Sequence, residues 1–128
     1  MHIAVAVDAF GPGLDAAAAA AAVAAGWHAA APAARLSVLA PAEIGSGVDL
    51  VLTGGAAFDW QALRDSLVTA AAGAAVTLGV PCVVLASEVS VGRREAAAVG
   101  VDAAYALADV SRDALVTLAE RVARRWGR

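Results

Sequence analysis

The sequence predicts a single three-layer α/β domain spanning residues 1–128. Three observations point to it. Short apolar, β-branched runs alternate with helix-forming stretches along the whole chain. The run "PCVVLA" at Pro81–Ala86 is continuously apolar, as a central parallel strand buried on both faces should be. Glycines stand where predicted helices stop, at Gly79 and Gly100. Together they describe a Rossmann-like or flavodoxin-like fold with a mostly parallel, five-stranded sheet.

His2–Val7 is the first strand and ends at Asp8. Phe10–Leu14, "FGPGL", is a loop, and Asp15 is a good N-cap for an alanine-rich helix reaching about Ala30. Pro32 closes that helix. Leu36–Leu39 is a short second strand, and Ala40–Gly47 is loop. Asp49–Thr53 is a third strand ended by Gly54–Gly55. Trp60–Leu78 then reads as a helix. Pro81–Ala86 is the fourth strand, Val91–Val99 a short helix and Ala103–Leu107 the fifth strand. Ser111 or Asp113 caps a last helix to Trp126, whose basic final turn suits the helix dipole.

The second and third strands are joined only by "APAEIGSG", although a parallel pair needs a longer crossover, usually helical. That junction predicts a displaced strand or a missing piece. A missing helix would leave one sheet face partly bare, so a homodimer is expected.

Composition removes several functions. The chain has no lysine, so it has neither a Walker-type lysine nor a Schiff base. Two histidines and one cysteine make zinc implausible, and Cys82 reads as a small buried apolar residue. A formal charge of −3 with scattered arginines gives no reason to expect nucleic acid. The two uncharged stretches, Ala16–Ala34 and Ser66–Ser87, are broken by glycine and proline and lack the density of a membrane span. With no basic leader at its start, the chain is expected to be cytoplasmic. The alanine, valine and arginine bias is that of a GC-rich genome.

Candidate site residues gather at the carboxyl ends of the predicted strands, where open α/β sheets bind ligands. "GPGLDA" at Gly11–Ala16 matches a dinucleotide fingerprint, but Asp15 would face the pyrophosphate and no acid ends the second strand. Asp8 could hold a metal or a substrate hydroxyl, or simply cap its own loop. The amides of Gly54 and Gly55 could bind an anion beside Asp59, which could equally cap the next helix. Glu88 ends the fourth strand, and Arg93 and Arg94 open a short helix.

Four segments carry a family resemblance. "DAFGPGLDA" at Asp8–Ala16 resembles the D-S-F-K-G-S-L-S-A loop of the glycerate kinase family, with Asp8, Phe10, Leu14 and Ala16 matching. "TGGAAFDWQALRDS" at Thr53–Ser66 is similar to its T-G-E-G-x-x-D-x-Q-T-L-x-G-K segment through Thr53, Gly54, Asp59, Gln61 and Leu63. "GVPCVVLASEVSVG" and "GVDAAYAL" resemble two later strands. The family phosphorylates glycerate with ATP, so the resemblance implies ATP and Mg as possible ligands. It also implies a large second domain that would fall at "APAEIGSG". Gly11 and Ser66 replace the family's two lysines, and Gly55 replaces its glutamate. The expected function is therefore a non-catalytic relative binding a small organic acid, phosphate or a protein partner as a homodimer. A residual small phosphotransferase is the alternative. The ligand-binding candidates are Asp8, Phe10, Thr53, Gly54, Gly55, Asp59, Gln61 and Glu88.

Overall fold

A computed structural model describes residues 1–127. Five strands form one wholly parallel sheet in the order β2-β1-β3-β4-β5. They are β1 His2–Val7, β2 Arg35–Val38, β3 Leu50–Phe58, β4 Cys82–Val89 and β5 Ala103–Ala106. The helices are α1 Ala16–Ala30, α2 Leu67–Leu78, α3 Arg93–Ala98 and α4 Arg112–Trp126.

Strand alternation sends side chains to two separate cores. Ile3, Val5, Leu52 and Leu85 meet α1 and α4 on one face, around the fully buried Trp27. Ala4, Val51, Phe58 and Val84 meet α2 and α3 on the other. Alanine has the highest helix propensity and a small profile, so the alanine run of α1 both forms and packs closely. Its axis comes near α4 at Gly26, where a Cβ would strike Val116 O and lie 2.8 Å from the Ala119 Cβ. Asp15 caps α1 by accepting from the Ala18 amide at 2.8 Å. Ser111, rather than Asp113, caps α4, accepting from Ala114 N at 3.1 Å.

Three expectations are corrected. The third strand does not stop at Thr53. It continues through Gly54 and Gly55 to Phe58, because β4 also runs long and pairs with it as far as Phe58 and Val89. The following helix begins at Leu67, not Trp60. The Ser66 hydroxyl accepts from Thr69 N at 3.2 Å and donates to Ala62 O at 2.7 Å, so a cap sits where the helix was expected to continue. Residues 59–66 form turns instead.

The third correction concerns the bare face. β2 lies at the sheet edge beyond β1, and the short link crosses over β1 through a 3-10 turn at Pro41–Glu43. Leu39 and Ile44 of that link pack onto the second core beside α2, so β1 is covered without a further helix. Over β2 the same face is polar. Arg35 donates to His2 Nδ1 at 2.9 Å, leaving the ring proton on Nε2, which bonds Ser37 Oγ at 2.8 Å. That face is therefore covered in part by the link and is polar over β2.

Candidate functional site

In this strand order the chain reverses direction of travel between β1 and β3, and the crevice above their carboxyl ends is where such sheets hold ligands. The structure brings Asp8, Gly55 and Phe10 together there. A Cβ built on Gly55 would lie 3.5 Å from the Asp8 Cβ. Ser87, at the end of β4, donates from its hydroxyl to Phe10 O at 2.7 Å and ties the β1 loop across the edge. Phe10 and Leu14 are buried in the first core, so the loop is anchored rather than open.

Asp8 donates its amide to Gly54 O at 2.9 Å and accepts the Ala9 amide at 2.8 Å. It caps its own loop, as aspartate readily does. Asp59 accepts the Ala62 amide at 3.0 Å and organises the turns before α2, not the start of α2 itself. Gln61 O accepts from Arg64 N within the same turns. Glu88 is exposed on β4, opposite Ala57.

Gly54 and Gly55 are not a phosphate turn. Both are ladder residues, paired with Leu85 and Ala86, and Gly54 also pairs with Val7. Gly54 is required for close approach, since a Cβ there would collide with Leu85 O. Thr53 lies just below. It is fully buried, and its Oγ1 finds no partner among the described residues.

The fingerprint glycines also fail as an anion cradle. Gly11 and Gly13 have positive φ of 155° and 79°, which closes a tight loop. The helix that follows already has a carboxylate, Asp15, on its first free amides. Among the described residues no three His, Cys, Asp or Glu side chains converge as metal ligands. This edge offers Asp8, Asp59 and Glu88 but no lysine, so the residues present do not fit ATP–Mg in the manner the resemblance implies. Cys82 is buried at the start of β4. Burial, with the Asp102 carboxylate adding to it, pushes its thiol from an ordinary 9.0 up to about 12. It is an inert thiol.

A further cavity lies elsewhere. A cleft of about 790 Å³ runs along the free side of β5, lined by Arg93, Val91 and Ala97 on one side and Tyr105, Arg125 and Trp126 on the other. Arg93, at the start of α3, belongs to this cleft. Tyr105 and Trp126 carried a signal that sequence reasoning did not use: an isolated tyrosine in a short alanine strand, and an Arg-Arg-Trp helix end. Trp60, by contrast, is 61% exposed on the turns after β3, and Trp27 is core.

No helix of the described residues is long and apolar enough to cross a membrane. No curated protein sequence matches the chain. Among solved structures, a flavodoxin from the domain Archaea superposes with a TM-score of 0.56 at 11% identity, covering 100% of both chains. That likeness establishes a flavodoxin-like three-layer fold. Residues 40–124, well over half the chain and including Thr53–Ser66 and the β4 and β5 segments, match the model of the glycerate kinase family. The chain belongs to the glycerate kinase family.

Proposed function

We propose that this chain is a non-catalytic member of its family and acts by binding. One observation carries the reading: the two glycines of the family-like segment are consumed by the β3 ladder, and the edge above them holds carboxylates without a lysine. Phosphoryl transfer is mainly positioning and electrostatic stabilisation by cations, and losing one such donor commonly costs about a hundredfold or more. Here both motif lysines and the motif glutamate are replaced, by Gly11, Ser66 and Gly55. Binding needs fewer groups held less strictly, so it can outlast turnover.

The second carboxylate oxygens of Asp8 and Asp59 make no hydrogen bond among the described residues. They favour hydroxyl donors on a ligand over phosphate or carboxylate. A small polyol acid entering this edge would therefore be held by its hydroxyls. The cytoplasm is the compartment proposed, and a second copy of the chain remains a partner to be tested by sedimentation. Calorimetry with ATP–Mg²⁺ and with glycerate tests the reading. No heat with ATP–Mg²⁺ and no phosphoglycerate formed is the expected result. Turnover abolished by Asp8→Ala would instead establish a residual phosphotransferase.

A further inference from the structure

We propose that the free edge of β5 is a docking site for an extended, acidic peptide segment of a protein partner, which adds to the sheet as a sixth strand. β5 ends the sheet, and only one of its sides is paired. The Leu107 amide points inward to Ala86 O at 2.9 Å, one residue past the registered pair Ala86 and Ala106, so strand alternation turns the backbone groups of Ala104 and Ala106 to the open side. Unpaired edge groups of this kind are a template for another strand. The edge opens into the 790 Å³ cleft between α3 and α4, so an added strand would be covered on both faces.

The lining selects the occupant's charge. Arg93 comes from α3 and Arg125 from α4, on opposite faces of the sheet. Neither makes an ion pair among the described residues, whereas the neighbouring Arg124 is engaged by Glu120 at 2.8 Å. The one acid in the lining, Asp102, has an oxygen committed to the Cys82 amide at 2.8 Å. Successive side chains of a strand point to opposite faces. Two adjacent acids on an added strand would therefore reach Arg93 and Arg125 separately. The apolar walls suit the residues on either side: Val91 and Ala97 on one face, Tyr105 and Trp126 on the other. Trp126 Nε1 donates to the Tyr105 hydroxyl at 3.2 Å and holds that wall in place. A second copy of β5 is a poor occupant, because a twofold pairing would bring arginines to arginines.

The site lies apart from the β1–β3 crevice, so a surviving kinase activity would leave it untouched. The test uses an acetylated, amidated peptide Thr-Val-Glu-Glu-Val-Thr, titrated into the whole chain and read by amide hydrogen exchange and calorimetry. Binding with new protection at Ala104 and Ala106 is expected. A Lys-Lys version and a version N-methylated on alternate amides should both fail to bind. Because Arg93 and Arg125 are exposed, Arg93→Glu with Arg125→Glu should leave the fold intact by circular dichroism and weaken binding by roughly tenfold or more. The proposal is overturned by no binding up to about 1 mM, or by equal binding of the lysine peptide. It is also overturned if phosphate or glutarate alone saturates the arginines and competes fully, or if Ala104 and Ala106 become protected by self-association without peptide.

Discussion

Replacing Gly54 by alanine tests the central structural claim about the family-like segment. The new Cβ would collide with Leu85 O, and Leu85 C would lie only 2.8 Å away. The obstacle is backbone in the middle of β4, so no side chain can swing aside. Overpacking of this kind costs about 1–3 kcal/mol, and an immovable neighbour puts the cost near the upper figure. Alanine recovers about 0.5–1 kcal/mol of the entropy that glycine forfeits in a strand. The net loss is about 2 kcal/mol, or roughly 8 °C in Tm for a domain of this size. Gly55→Ala is the internal control. Its Cβ would meet the Asp8 Cβ at 3.5 Å and Ala9 O at 3.7 Å, both ordinary contacts, and its φ is not positive. It should be neutral or stabilising by about 0.5 kcal/mol. Urea denaturation followed by far-UV circular dichroism reads both. If the two glycines formed a free turn, both substitutions would be tolerated alike. A Gly54→Ala protein within about 0.5 kcal/mol of the parent would therefore refute the ladder argument.

Thr53→Val should be neutral or stabilising by up to about 1 kcal/mol, since it removes a buried hydroxyl without a partner. A loss above about 1 kcal/mol in the same urea assay would mean that the hydroxyl is satisfied in solution. Ser66→Ala should cost about 1 kcal/mol by uncapping α2, whereas Asp59→Ala should leave α2 helicity unchanged. Cys82 ties stability to alkaline pH: its folded value, about 12, lies above the ordinary 9.0, so the folded state keeps a proton that the unfolded state gives up. The contribution is complete below pH 9 and declines by up to about 1.4 kcal/mol per pH unit as pH rises toward 12. Cys82→Ala should flatten that decline, and the parent thiol should react with a disulfide reagent only on unfolding.

The elements set by local chemistry were legible: β1, the Asp15 cap, the Gly79 stop and α4 all stand within a residue or so of their expected places. Those set by a neighbour were not. Nothing inside "LTGGAAF" says that a double glycine stays extended; that depends on β4 running alongside it and on Leu85 pressing against Gly54. The helix expected from Trp60 has the right composition, but Ser66 offers a better start, and a cap competes with propensity only once Ala62 O and Thr69 N are both within its reach. The same logic separates the two functional surfaces. The residues that resemble a kinase edge lie in sequence order and could be found by motif. The β5 cleft is assembled from Arg93, Tyr105 and Arg125, which are far apart in the chain and meet only because β5 closes the sheet between α3 and α4. The family match covers residues 40–124, so it omits β1, Asp8 and the loop to Ala16 and spans the cleft except for Arg125 and Trp126. Kinship with the family thus rests on the part of the sheet that carries both the Thr53–Ser66 segment and most of the new groove.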